Sequence, residues 1–148
     1  MSPRVDFYVL DTPDAADVSH MACRITEKAW KSGHRVFVHT GAKFTATKMD
    51  DLLWTFRAEG FVPHTVHANN AADDATDDDN YPVLVGTGAN PERALDVVVN
   101  LGDGPLPFLT GCERIVEIVS GSTEDRESSR QRYRLYREKG CTLHTHHL

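Results

Sequence analysis

No stretch of this chain stays apolar long enough to cross a membrane; nothing approaches the roughly eighteen residues that a spanning helix needs. The opening Met1-Ser2-Pro3-Arg4-Val5 runs directly into a strand-like segment and lacks the apolar centre of a secretion signal. A cytoplasmic protein is expected. Cysteine is scarce too: Cys23, Cys112 and Cys141 are odd in number and widely spaced, which argues against a disulfide framework and against a zinc ribbon of paired Cys-x-x-Cys. They are expected to be reduced thiols, with Cys23 and Cys112 packing as small hydrophobes.

The usual catalytic signatures are also missing. There is no Gly-x-Ser-x-Gly elbow and no His-Glu-x-x-His helix. The loop Gly86-Thr87-Gly88-Ala89-Asn90 follows a strand-like run and could in principle hold a phosphate in a small nucleotide-binding α/β enzyme. It lacks the third glycine of the dinucleotide fingerprint and the Gly-Lys-Ser/Thr of a P-loop, and it lies too far along the chain to be the first β-α turn, so it reads as a plain turn. Cys141, His144, His146 and His147 cluster near the end and could ligate a transition metal. Ligand sets need fixed geometry and hydrogen-bond partners that orient each ligand, whereas a frayed tail is expected there and no partner cluster lies upstream. No catalytic residue, metal or cofactor is expected.

What is present fits one domain over residues 1–148. That length, 40% hydrophobic and 26% charged, is enough to bury roughly two thirds of the unfolded surface. Val5 to Leu10 reads as a strand, Ala15 to Trp30 as a helix with His20, Arg24 and Lys28 on its polar side, Gly33 as its cap, and Arg35 to His39 as a second strand. That β-α-β unit suits a right-handed crossover between parallel strands. A second helix is expected from about Lys43 to Phe56, and Phe61-Val62-Pro63-His64 as a loop into an edge strand. Residues 68–81, with Asp73, Asp74, Asp77, Asp78 and Asp79, read as a mobile Asp-rich loop. Pro82 to Val85, Asp96 to Asn100 and Ile115 to Val119 are apolar runs typical of strands covered on both faces. The pattern predicts a three-layer α/β/α domain with a largely parallel sheet.

The last helix, Arg126 to Lys139, holds six of the sixteen Lys and Arg residues of a chain whose net charge is −6. At 100° per residue Arg126, Arg130, Tyr133 and Arg137 fall within about 60° of one another, with Arg134 at the shoulder. Such a stripe is either a solvated charged face or a site for an anion carrying an apolar group, since guanidinium forks match carboxylates and a tyrosine packs beside them. It could also contact the phosphates of single-stranded nucleic acid, with Tyr133 or Tyr136 stacked on a base. The acidic body opposes that third reading. Trp54 and Phe61 read either as helix-capping core or as an apolar patch for a partner, and Trp30 as core.

Several of these features, in order, resemble the chi subunit of bacterial DNA polymerase III. They are Phe7-Tyr8-Val9-Leu10-Asp11; Cys23 through Trp30-Lys31-Ser32-Gly33-His34-Arg35-Val36; Asp51-Leu52-Leu53-Trp54 followed by Phe61-Val62-Pro63-His64; and Arg130-Gln131-Arg132-Tyr133-Arg134-Leu135-Tyr136-Arg137-Glu138-Lys139-Gly140 with Leu143. The resemblance implies a non-catalytic α/β subunit that ties the clamp-loader assembly to single-stranded DNA-binding protein by gripping that protein's acidic C-terminal tail. It maps the tail site onto Arg126, Arg130, Tyr133, Arg134, Val119 and Thr145, and contact with a psi subunit onto Trp54 and Phe61 with Pro63 adjacent. The Asp-rich loop and His-rich end depart from the family's pattern.

Overall fold

Runs of Val, Ile and Phe that cannot be hydrated on either side pair with one another and are roofed by helices, and this sets the architecture. In the computed structural model, residues 4–13, 15–40, 48–49, 52–53, 64–66, 83–86, 96–101 and 112–147 are described. The strands are β1 (Arg4–Val9), β2 (Val36–His39), β3 (His64–Val66), β4 (Val83–Gly86), β5 (Val97–Asn100), β6 (Arg114–Val119) and β7 (Thr142–His147), with helices α1 (Ala15–Lys31) and α2 (Thr123–Glu138). The sheet order is β3-β4-β2-β5-β6-β1-β7 and every neighbouring pair is parallel. Lys48, Met49, Leu52 and Leu53 are helical, with Met49 and Leu53 buried, as expected for the second helix.

Alternation along each strand divides the core in two. Val36, Val38, Val83, Val85, Val97, Val99, Val116 and Ile118 meet Ala22, Cys23 and Ala29 of α1 on one face. Val5, Phe7, Phe37, Leu84, Val98, Ile115 and Val119 meet Tyr136 of α2 on the other. This is the three-layer α/β/α arrangement, with Trp30 packed against the α1-side core. Gly33, at φ +88°, takes the left-handed conformation that ends α1. Burial pushes the Cys23 thiol up to about 12 and Cys112 up to about 11, and all three cysteines are free.

One expectation fails. The C-terminal residues are not a frayed tail but strand β7, in register with β1 from Arg4↔Thr142 to Val9↔His147. Main-chain pairing needs no apolar side chains, so a polar Thr-His segment can cover what would otherwise be the exposed edge of β1. The Asp-rich segment 68–81 and the loop residues 87–90 lie outside the described residues, as do Trp54, Phe61 and Pro63.

Candidate functional site

Helix α2 starts where Ser122, in extended conformation, accepts a hydrogen bond from the Asp125 amide at 3.2 Å. Glu124 and Asp125 place negative charge against the positive end of the helix dipole. Gly140, at φ +84°, follows the last turn and lets the chain reverse into β7. Between these ends the helix has only three apolar-bodied residues, Tyr133, Leu135 and Tyr136, so hydrophobic burial alone is a thin anchor.

A buried polar cluster supplies the rest. Glu117, in the middle of β6, is 1% exposed and faces α2. Its carboxylate accepts from Arg132 Nε at 3.1 Å, from the Tyr136 hydroxyl at 2.5 Å and from Asn100 Nδ2 at 2.8 Å. Arg132 Nη1 also donates to Ser128 Oγ at 2.7 Å, and His39 Nδ1 lies 3.0 Å from Asn100 Oδ1. Burial pushes the Glu117 carboxyl up, opposed by the Arg132 charge and by the hydrogen bonds it receives. Burial likewise lowers His39, which favours the neutral ring. Glu117 therefore sets the rotation and height of α2 on the sheet.

With Arg132 and Tyr136 turned to the sheet, a neighbouring face of α2 overhangs the edge of the sheet formed by β1 and β7. There Ser129, Arg130, Tyr133, Arg134 and Arg137 line a cavity of about 290 Å³ with Phe7 and Val9 of β1, Val119 of β6 and Thr145 of β7. Phe7 and Val119 are buried and form an apolar floor; Tyr133 leans on Phe7 with ring centroids 5.5 Å apart at 49°. Arg130, Arg134 and Arg137 are exposed at the rim, and no carboxylate is among the described lining residues. A greasy floor under several guanidinium groups suits an anionic group joined to an apolar one.

The structure brings together Arg130, Tyr133, Arg134, Arg137, Val119 and Thr145. Arg126 is exposed and does not line the cavity. It shares the stripe by angle but sits one turn, about 6 Å, nearer the helix start than Arg130. Tyr136 is fully buried with its hydroxyl on Glu117, which withdraws it from any stacking role. Phe7, Val9 and Ser129 are added to the site. Odd-numbered alternation in β1 marks Phe7 and Val9 as sharing one face, but no sequence signal says that this face is left partly open. Of the terminal histidines, His146 Nε2 lies 2.9 Å from Asp6 and its ring stacks on Tyr8. Strand alternation turns His147 to the opposite face from His144 and His146. Among the described residues no group of three or more His, Cys, Asp or Glu side chains is placed to hold a metal. Also among them, no helix is long and apolar enough to cross a membrane.

The family model described as DNA polymerase III chi subunit, HolC, matches residues 1–144. The chain belongs to the chi subunit family. Similar proteins carry the same description: the DNA polymerase III subunit chi of Pseudomonas aeruginosa is 34% identical over 145 residues, covering 98% of this chain and 96% of that one. The Escherichia coli K12 protein is 27% identical over 143 residues, 94% of each chain, and the Haemophilus influenzae protein 26% over 148 residues, 98% and 97%. Membership places this chi-family chain among the subunits of DNA polymerase III.

Proposed function

We propose that this chi-family chain is a non-catalytic, cytoplasmic accessory subunit of the polymerase holoenzyme. It links the clamp loader to single-stranded DNA-binding protein by holding that protein's acidic C-terminal tail in the cavity between α2 and the β1–β7 edge. The observation that carries this reading is the pairing of an arginine rim with an apolar floor, with no carboxylate among the described lining residues, on a chain of net charge −6. An acidic tail ending in an apolar side chain and a free carboxylate needs both halves of that pairing. Arg126, exposed one turn away, contributes long-range attraction rather than contact. The psi partnership through Trp54, Phe61 and Pro63 belongs to the same proposal.

Titrating a labelled tail peptide tests it. Arg130→Ala should weaken binding by roughly 1.5 to 3 kcal/mol, about tenfold or more, and added salt should weaken the wild type. Equal affinity of wild type and Arg130→Ala removes the proposed site. Tight binding to bare single-stranded DNA would instead favour a direct nucleic-acid module. Burial of Tyr136 leaves Tyr133 as the aromatic residue of this helix open to such a ligand.

A further inference from the structure

The cavity opens onto a sheet edge that has no partner strand among the described residues. Strand β7 ends the sheet, and among the described residues β1 is its one neighbouring strand. Which of its main-chain groups face outward follows from β1. The Arg4 amide donates to the Glu113 carbonyl at 3.0 Å and the Leu10 amide to the Val119 carbonyl at 2.8 Å, so even-numbered residues of β1 turn their polar groups toward β6. Successive residues of a strand point opposite ways, so Val5, Phe7 and Val9 turn theirs toward β7. In a parallel pair each such residue bonds the two neighbours of its register partner. The partners are Leu143, Thr145 and His147, so the ladder to β1 runs through Thr142, His144 and His146. The amides and carbonyls of Leu143, Thr145 and His147 consequently face away from the sheet. Their side chains share the face of Phe7 and Val9, and Thr145 itself lines the cavity.

We propose that an extended acidic peptide, its C-terminal end in the cavity, pairs its main chain with Leu143, Thr145 and His147 and so adds a strand beside β7. This pairing presupposes the tail-binding reading above. It explains how a cavity of about 290 Å³, with room for little more than the end of a peptide, could hold a longer segment. The cavity reads the terminal residue and its carboxylate, while the strand edge grips upstream residues whatever their side chains. Charge selects the occupant. Arg130, Arg134 and Arg137 stand at the rim beside this edge, so an acidic strand is drawn to it, whereas edge-to-edge pairing with a second copy would bring two arginine rims together.

The test uses a synthetic acidic peptide of about ten residues with an apolar C-terminal residue and free carboxylate, N-methylated at one upstream residue at a time. Methylation at alternate residues should weaken binding about tenfold, with the intervening residues within about twofold, because only every second amide meets β7. Small uniform losses overturn the added strand and leave the tail site standing. If the unmodified peptide binds wild type and Arg130→Ala equally, the tail site falls and the strand with it. On the protein, Thr145→Pro removes one outward amide but no ladder bond to β1. It should lose several-fold more affinity than Thr145→Val, and equal loss in the two overturns the proposal. Should Thr145→Pro fail to fold, the methylation scan decides alone. Sedimentation showing a dimer that Thr145→Pro disrupts would assign the edge to a second copy and overturn it as well.

Discussion

Replacing Glu117 by Ala should damage this protein more than any surface change, and the size of the effect follows from its surroundings. The side chains of Glu117 and Arg132 are 1% and 9% exposed. Removing the carboxylate leaves the Arg132 guanidinium buried without its counter-charge and removes the acceptor of Tyr136 and Asn100. Breaking a buried pair from one side costs about 3 to 5 kcal/mol, a large share of the roughly 5 to 15 kcal/mol that holds a domain folded. For a chain of this size the melting temperature should fall by roughly 6 to 20 °C. Glu117→Gln keeps an acceptor oxygen but strands the Arg132 charge, so it should fall between wild type and Ala. Glu117→Gln with Arg132→Met removes both charges and should recover part of the loss, because a neutral pair no longer needs desolvated ions. Urea unfolding followed by circular dichroism measures the series. A loss under about 1 kcal/mol for Glu117→Ala, or a double variant as damaged as the Ala variant, refutes the role given to this carboxylate.

Two other perturbations follow from packing and charge. Asp6, fully buried, accepts from Arg114 at 2.6 Å, Arg4 at 3.0 Å and His146 at 2.9 Å. Burial alone would raise its pKa, but these donors bring it below the usual 3.8. The folded pKa is thus the lower one, so the stabilisation is complete above the unfolded value and disappears as pH falls through the folded value. Asp6→Asn should cost about 2 to 3 kcal/mol at neutral pH, and its deficit relative to wild type should shrink in denaturant melts below pH 3.8. Gly121→Ala would drive a Cβ into the Asp11 carbonyl oxygen and within 3.0 Å of the Thr12 carbonyl carbon. Both obstacles are backbone, so the two loops at the top of β1 and β6 must part. A loss of about 1 to 3 kcal/mol, read by thermal melting, is expected, and an unchanged melting temperature contradicts the contact.

Side-chain pattern made much of this architecture legible. The apolar runs of β2, β4, β5 and β6, the cap at Gly33 and the burial of Met49 and Leu53 all follow from periodicity, because those elements are held by what their side chains exclude from water. Strand β7 was hidden for the complementary reason. Its Thr-Leu-His-Thr-His-His carries little apolar signal, and it is secured by main-chain bonds that any residue can make. The angular stripe on α2 located Arg130, Tyr133, Arg134 and Arg137 but says nothing of height along the axis, which is what separates Arg126 from the cavity. Nor does periodicity reveal that Arg132 meets a carboxylate from the centre of Ile115-Val116-Glu117-Ile118-Val119. That contact spans fifteen residues and depends on how the helix folds back.

The arginines of this chain divide between internal and external work, and the division bears on which anion the site can take. Arg132 is committed to Glu117, and Arg4 and Arg114 to Asp6. Arg130, Arg134 and Arg137 have no ion-pair partner among the described residues and cluster within one cavity rim. Over the whole chain 22 Asp and Glu residues outnumber the 16 Lys and Arg. A polyanion long enough to leave the rim would meet that negative body and gain few further contacts. A short acidic peptide end presents its charges within about one Debye length, roughly 8 Å at physiological salt, of the guanidinium groups and stays clear of the rest. A compact anionic terminus thus suits this charge distribution better than a nucleic-acid strand, because three guanidinium groups gather at one rim on a chain that is negative in sum.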